Sequence, residues 1–161
     1  YNPLLQFGAE RLCAEARRAG VDGMLVTDLA PEESAEFAAT LSRHELDLIF
    51  LVAPTSTDER LRRIAERASG FIYAVSRAGV TGVQSTSSAE ADRLVGRVRA
   101  VSELPIAVGF GISTREQVAD VWRYADAAVV GSAIVAEIEK QADAPDLAAH
   151  IGRFAHDLLP A

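Results

Sequence analysis

Five short apolar runs set the strongest limit on what this chain can fold into. Each run is rich in Val, Ile, Leu or Phe and shows little alternation between apolar and polar residues. Strands of a parallel sheet that are buried on both faces have this pattern. The predicted strands are Val21–Leu29, Asp47–Ala53, Phe71–Ser76, Ile106–Phe110 and Ala127–Val130.

Amphipathic segments between these runs predict helices. One predicted helix has its apolar face at Leu61, Ile64, Ala65 and Ala68, and another at Val118, Val121, Trp122 and Ala125. Three Ser–Glu pairs have the capping-box spacing of a helix start, and Pro31 with two glutamates suits a first turn. These pairs are Ser56 with Glu59, Ser87 with Glu90, and Ser113 with Glu116.

The alternation of strands and helices predicts one α/β domain over residues 1–161, either a doubly wound sheet or a (β/α)₈ TIM barrel. No Gly-x-Gly-x-x-Gly follows the first strand, which argues against a dinucleotide-binding fold. A helix from Leu4 to Ala19 precedes that strand, and an extra helix closes the chain from about Asp146 to Leu159. A complete barrel takes about 250 residues, and this sequence starts with Tyr1 rather than Met. We therefore expect an incomplete barrel, roughly units 4 to 8 plus a C-terminal helix.

Composition excludes several classes of partner. The net charge of −7 repels nucleic acid and anionic membrane surfaces. No apolar run has the length of a membrane span. Cys13 is the only cysteine, which excludes an internal disulfide and suits a reducing cytoplasm. Its position on the apolar side of a helix favours a packed thiol over a reactive one.

Two consecutive glycine-bearing turns predict a phosphate site. The last two strands end in Gly109–Ser113 and Gly131–Ala133, and both turns run straight into helix starts. Glycine lets the backbone approach an anion, and the free N–H groups of a helix start bind phosphate oxygens. Barrel enzymes often carry such a site after strands seven and eight.

The third strand leads into a long connection, residues 76–87, which predicts a lid hinged at Gly79 and Gly82. Gly82 has an N–H to offer a phosphate when the lid closes, and the Tyr73 hydroxyl can reach the barrel interior. Acid–base candidates are scarce. Asp28 near the first strand end is as well explained by ordering the next turn. The histidines at 44, 150 and 156 lie on or beside helices without metal-ligand spacing, so no metal site is predicted.

These motifs together resemble the alpha subunit of tryptophan synthase, from Tyr1 to Pro160 in order and spacing. The Gly-Val-Thr-Gly lid and the Gly-Phe-Gly-Ile-Ser turn are highly specific in combination. The matching segments are Tyr1–Leu4, Val26–Leu29 with Glu32 and Glu33, Leu51–Thr55, Gly70–Tyr73, Ser76–Gly82, Val108–Ser113 and Val130–Val135. Thr27 and Ala30 stand where the family usually has prolines, which puts affinity for the partner subunit in question.

The resemblance implies cleavage of indole-3-glycerol phosphate to indole and glyceraldehyde 3-phosphate in tryptophan biosynthesis. It implies no cofactor here, since PLP belongs to the beta subunit of an alpha2beta2 complex, and it directs Asn2 and the turn from Asp28 to Glu33 towards that subunit. The implied phosphate ligands are backbone N–H groups of Gly82, Gly111, Gly131 and Ser132. Phe110 and Tyr73 would line the indole pocket, and Thr81 would meet a catalytic carboxylate when the lid closes. The catalytic Glu and Asp of the family belong to the second barrel strand and the loop after it, upstream of Tyr1.

Two other interpretations stay open. One is another phosphate-binding barrel enzyme, such as a histidine- or pyrimidine-pathway isomerase or decarboxylase, which would lack the Gly-Val-Thr-Gly lid. The other is a non-catalytic half-barrel that binds phosphate or a beta subunit. In the leading interpretation, the isolated chain exposes strand edges and apolar interior. We therefore expect it to be poorly soluble, oligomeric or partly molten, and to release no indole.

Overall fold

The computed structural model describes residues 1–75, 84–109 and 111–160. Their contacts group the chain into two compact units. The first unit comprises Tyr1–Tyr73 with Arg97–Pro105, and the second comprises Ala74–Gly96 with Ile106–Ala161. The prediction of a single domain over residues 1–161 stays a prediction, and each unit is described by itself.

Strands and helices alternate along the chain, as the apolar runs predict. The helices are α1 (Asn2–Phe7), α2 (Ala9–Arg18), α3 (Ala35–Arg43), α4 (Asp58–Arg67), α5 (Gln84–Arg99), α6 (Arg115–Val121), α7 (Ser132–Lys140) and α8 (Leu147–Asp157). The strands are β1 (Gly23–Leu25), β2 (Asp47–Val52), β3 (Ile72–Val75), β4 (Ile106–Gly109) and β5 (Ala127–Val129). All five predicted strands are present, each within its apolar run. The strands follow one another in sequence order in a five-stranded sheet, and the β1–β2 and β4–β5 pairs are parallel.

The prediction of one continuous helix from Leu4 to Ala19 is wrong, because this segment forms two helices, α1 and α2. The break falls at Gly8, whose φ of 93° and ψ of 118° lie far from helical values. A positive φ of this kind is costly for a residue with a Cβ, so the glycine permits the break. Pro31–Glu33 forms a short 3-10 turn instead of a first α-helical turn, and α3 begins after it at Ala35.

The same pair of hydrogen bonds occurs in both units, between the turn after a helix and the strand that precedes that helix. The turns follow α4 in the first unit and α6 in the second. In the first unit, Ser69 donates its N–H to the Leu48 carbonyl (3.0 Å), and its hydroxyl accepts from the Leu48 N–H (3.0 Å). In the second unit, Asp126 donates its N–H to the Ile106 carbonyl (3.0 Å), and its carboxylate accepts from the Ile106 N–H (2.8 Å). These reciprocal pairs satisfy backbone groups at the start of β2 and β4 that the strands would otherwise leave open.

Apolar faces of the helices build the core of each unit. Leu61 and Ile64 of α4 are buried in the first unit, as are Val118 and Val121 of α6 in the second. Burying one such side chain stabilises the fold by roughly 1.5–3 kcal/mol. Trp122 departs from the predicted apolar face, because α6 ends at Val121 and the indole is 47% exposed. Cys13 is fully buried, which confirms the packed thiol.

Candidate anion site at the ends of β4 and β5

The two predicted phosphate turns leave the same edge of the sheet. Strands β4 and β5 are parallel neighbours, and Gly109 at the end of β4 lies opposite Val129 at the end of β5. The chain then runs from each strand into a helix start, at Arg115 after β4 and at Ser132 after β5. Parallel strands bring their carboxyl ends to one edge, where α/β proteins bind ligands. Both turns belong to the second unit.

Gly111 shapes the first of these turns. Its φ of 78° lies in the left-handed region, which a residue with a Cβ adopts only at a cost in conformational energy. The residue is exposed, whereas Ile112 directly after it is buried. Within the described part of the chain, the N–H groups of Gly111 and Ile112 have no hydrogen-bond acceptor. No described residue therefore competes with a ligand for these two backbone donors.

At the start of α6, immediately downstream, side chains of the helix and its cap accept hydrogen bonds from the backbone N–H groups. The Thr114 hydroxyl accepts from the Gln117 N–H (3.3 Å), and the Gln117 Oε1 accepts from the Thr114 N–H (3.1 Å), which makes a complete capping box. The same Oε1 also accepts from the N–H (2.8 Å) and the hydroxyl (3.2 Å) of Ser113. Hydrogen bonds from its own backbone N–H and then from Thr114 hold the pKa of Glu116 below its ordinary value. An anion therefore meets satisfied donors and a carboxylate at α6.

The start of α7 has the opposite character. Gly131 stands at the N-cap position without a side-chain hydrogen bond, and the first turn contains no acidic residue. The N–H groups of Gly131, Ser132 and Ala133 have no acceptor among the described residues. A Cβ added at Gly131 would have no atom within 4 Å, so the space in front of this turn is open. Aligned peptide dipoles add a partial positive charge at such a helix start.

The other predicted site residues are only partly described. Tyr73 lies on β3, in the first unit, and is half-buried. Burial raises the pKa of its hydroxyl, so the phenol stays protonated at neutral pH. Thr81, Gly82 and Phe110 lie outside the described residues. Their roles, and those of Gly111, Gly131 and Ser132, stay predictions.

The remaining polar candidates lie away from the β4–β5 turns in sequence. The Asp28 carboxylate is 66% exposed. His44 caps the end of α3, and His150 and His156 lie on α8. Among the described residues, no group of three His, Cys, Asp or Glu side chains is arranged to hold a metal ion. Among the same described residues, no helix is both long enough and apolar enough to cross a membrane.

The residues that cap α6 differ from the predicted pair. The spacing predicts Ser113 with Glu116, but the cap is Thr114 with Gln117, one residue later. The same one-residue error occurs at α4, where the N-cap is Thr57 rather than Ser56. The Thr57 hydroxyl accepts from the Arg60 N–H (3.2 Å), whereas the Ser56 hydroxyl accepts from the Ala53 N–H (3.0 Å) before the helix. Both pairs at α6 have the capping-box spacing, and Gln is as suitable as Glu at the third helical position. The spacing alone therefore did not decide between adjacent hydroxyl residues.

Comparison with known proteins decides the family. A family model described as tryptophan synthase alpha chain matches residues 1–155. This chain belongs to the tryptophan synthase alpha chain family. The alpha chain of Solibacter usitatus is 45% identical over 157 residues, which cover 98% of this chain and 59% of the relative. That of Geobacter sulfurreducens is 51% identical over 140 residues, 87% of this chain and 53% of the relative. The chain thus spans little more than half the length of these curated relatives and corresponds to a C-terminal portion of them.

Solved structures agree with the family and the fold. A tryptophan synthase from M. tuberculosis is 38% identical with a TM-score of 0.82, and covers 99% of this chain and 60% of its own. A chain of the tryptophan synthase a2b2 complex from Pyrococcus furiosus is 34% identical with a TM-score of 0.87. The match covers 98% of this chain and 63% of the Pyrococcus furiosus chain. Together with the parallel sheet, these matches confirm the prediction of part of a (β/α)₈ barrel.

Proposed function

We propose that this chain supplies the phosphate-binding part of a tryptophan synthase alpha subunit that cleaves indole-3-glycerol phosphate to indole and glyceraldehyde 3-phosphate. The observation that carries the proposal is the pair of turns at adjacent strand ends, where the N–H groups of Gly111 and of Gly131 to Ala133 have no acceptor among the described residues. Backbone donors at a helix start suit a phosphate dianion. The identity of the substrate in this proposal is taken from membership of the tryptophan synthase alpha chain family.

Residue roles follow the family resemblance. Gly111, Gly131 and Ser132, with Gly82, donate N–H groups to the phosphate. To these we add the Ser132 hydroxyl as a further donor, because Ser132 is exposed at the first position of α7. Phe110 and Tyr73 line the indole, and Thr81 meets a catalytic carboxylate when the lid closes. The beta subunit of an alpha2beta2 complex receives the indole and holds PLP, so the alpha reaction itself uses no cofactor. The setting that fits this pathway is the cytoplasm.

The catalytic carboxylates of the family match no residue of this sequence. General acid–base catalysis of carbon–carbon cleavage needs such groups within hydrogen-bond reach of the proton they transfer. We therefore propose that residues 1–161 by themselves release no indole from indole-3-glycerol phosphate. Indole release above a buffer blank, abolished by Thr81→Val, would show that this part of the proposal is wrong.

Gly131→Ala tests the phosphate site in the full-length protein with its beta subunit. The added methyl group meets no protein atom within 4 Å, so stability should stay within about 0.5 kcal/mol of the parent. We propose that the methyl group crowds the phosphate and pushes it away from the N–H groups of the turn. We expect KM for indole-3-glycerol phosphate to rise about tenfold or more, the effect of weakening a hydrogen bond to a charged group.

Gly152→Ala is the matched control, because Gly152 lies within α8 and a Cβ there also has no atom within 4 Å. Replacing a glycine inside a helix by alanine stabilises the fold by roughly 0.5–1 kcal/mol, and KM should not change. Absence of indole release by the parent, or an unchanged KM in Gly131→Ala, would count against the proposed function.

A further inference from the structure

The side chain of Gln117 belongs to α6 but makes most of its contacts in the turn before that helix. Its Oε1 accepts from the N–H groups of Ser113 (2.8 Å) and Thr114 (3.1 Å) and from the Ser113 hydroxyl (3.2 Å). A helix cap needs only the exchange with Thr114. The two contacts with Ser113 fasten the preceding residue to the helix as well.

These contacts divide the backbone donors of the turn into two groups. The N–H groups of Ser113 and Thr114 point to Gln117, whereas those of Gly111 and Ile112 have no acceptor within the described part of the chain. Ser113 follows Ile112 directly, so fixing Ser113 also restricts the direction of the two open N–H groups. The Ile112 side chain is buried and so anchors the turn as well.

We propose that Gln117 is a positioning residue for the phosphate group of the substrate. It withdraws Ser113 and Thr114 from the ligand and aims the Gly111 and Ile112 N–H groups at it. The proposal rests on the proposed function, because that function makes the ligand of this turn a phosphate ester. Preorganised donors bind an anion more tightly than the same donors on a loose turn, since their ordering cost is met during folding.

Gln117→Leu in the full-length protein with its beta subunit is the main test, with Thr114→Ala as its matched control. Leucine keeps the size of the side chain and removes the acceptor. Thr114→Ala removes the other half of the cap and leaves the contacts of Gln117 Oε1 with both N–H groups. We expect both variants to unfold at a lower temperature than the parent. Only Gln117→Leu should raise KM for indole-3-glycerol phosphate, about tenfold, with kcat changed less than about twofold.

Dissociation constants for sn-glycerol 3-phosphate and for inorganic phosphate give a readout independent of catalysis. Both should rise by a similar factor in Gln117→Leu and stay at the parental value in Thr114→Ala. In the parent, the amide resonance of Gly111 should shift on adding either ligand, and that of Ser113 should shift much less. Equal affinity losses in the two variants would reduce Gln117 to a helix cap and overturn the proposal.

Gln117→Glu serves as the conservative rescue. A carboxylate accepts from the same two N–H groups and so restores the turn, but it adds a charge that repels the ligand. The loss of affinity should therefore shrink as ionic strength is raised from about 0.05 M to about 0.5 M, whereas that of Gln117→Leu should persist. If both losses respond to salt alike, the positioning role is wrong.

The experiment separates this inference from the proposed function. If the parent binds sn-glycerol 3-phosphate but releases no indole, the proposed function is wrong, and the dissociation constants of the variants still decide the role of Gln117. If the parent binds no phosphate compound, both proposals are overturned.

Discussion

The starts of α6 and α7 lie at neighbouring strand ends and differ in almost every feature that matters to an anion. At α6, Thr114 and Gln117 satisfy each other's backbone N–H groups, and Glu116 adds a negative charge. At α7, Gly131 offers no capping side chain, and the first turn has no acidic residue. One helix start is stabilised by its own side chains, and the N–H groups of the other have no acceptor among the described residues.

This difference shows how a fold separates stability from binding. An N-cap is worth roughly 0.5–2 kcal/mol, so a helix start without one gives up stability that a bound anion can restore. The turn before α6 combines both solutions, because Gly111 and Ile112 keep open donors while Gln117 secures the residues after them. Binding donors are therefore expected on a framework that is itself well hydrogen-bonded.

The largest effect is expected from Gly111→Val, which should distort the left-handed turn that carries the donors next to α6. A β-branched residue at a φ of 78° costs of order 1–3 kcal/mol in backbone strain. We expect stability to fall by about that amount in urea unfolding of the full-length protein, and phosphate binding to be lost. Gly111→Ala should lower stability and phosphate affinity in the same direction but by a smaller amount. A stability equal to that of the parent in Gly111→Val would mean that the left-handed turn is not kept in solution.

A smaller and more discriminating effect is expected from comparing Thr114→Ala with Ser132→Ala. The Thr114 hydroxyl accepts from the Gln117 N–H, so its removal should cost about 1 kcal/mol of stability and leave the affinity for sn-glycerol 3-phosphate unchanged. Ser132 is the exposed first residue of the uncapped α7. Its replacement should change stability by less than about 0.5 kcal/mol and reduce that affinity.

The measurements are urea unfolding and calorimetric titration with sn-glycerol 3-phosphate on the same two variants. Opposite patterns in the two variants would support the division between a closed and an open helix start. If Ser132→Ala destabilises the protein as much as Thr114→Ala does, then α7 has a cap of its own and the division is wrong.

The sequence predicted the strands well and the hydrogen bonds of the helix caps poorly, and the place of the phosphate site stays a prediction. Buried parallel strands need continuous apolar residues, so runs such as Asp47–Ala53 are hard to misread, and β2 occupies residues 47–52 of that run. Glycine before a helix start likewise identified both turns. The choice between Ser113 and Thr114 as cap depends on backbone angles, and Thr114 has the extended φ of −129° and ψ of 158° that a cap needs. Adjacent hydroxyl residues do not reveal which of them adopts such angles.

Trp122 shows a second limit. Its spacing from Val118 and Val121 fits one apolar helix face, but α6 ends at Val121 and the indole is 47% exposed. Periodicity assumes that a helix continues, and the end of a seven-residue helix removes that assumption. The Gly8 break between α1 and α2 is the same kind of error, because a single glycine inside an apolar pattern is compatible with either a continuous or a broken helix.

The smallest effect on stability is expected at Glu137, which ties the second half of α7 to α8, far along the helix from its uncapped start. The Glu137 carboxylate, only 15% exposed, accepts from His150 of α8 at 2.8 Å and from Lys140 at 3.3 Å. The hydrogen bond from His150 and then that from Lys140 lower the pKa of Glu137 below its ordinary 4.5. A lowered pKa stabilises the fold above pH 4.5, and that stability is lost as the pH falls through the lower, folded-state pKa.

In Glu137→Gln the group no longer titrates, so the urea midpoint should fall less steeply than in the parent as the pH is lowered from neutral to about 3.5. Phosphate affinity at neutral pH should stay at the parental value, because the open start of α7 is untouched. Glu139→Gln, on the exposed side of the same helix, should keep the acid dependence of the parent. If Glu137→Gln loses stability in acid as steeply as the parent, the contact with α8 does not hold α7. If it also weakens phosphate binding, the anchoring of α7 and its open start are coupled, and the separation of stability from binding fails at this helix.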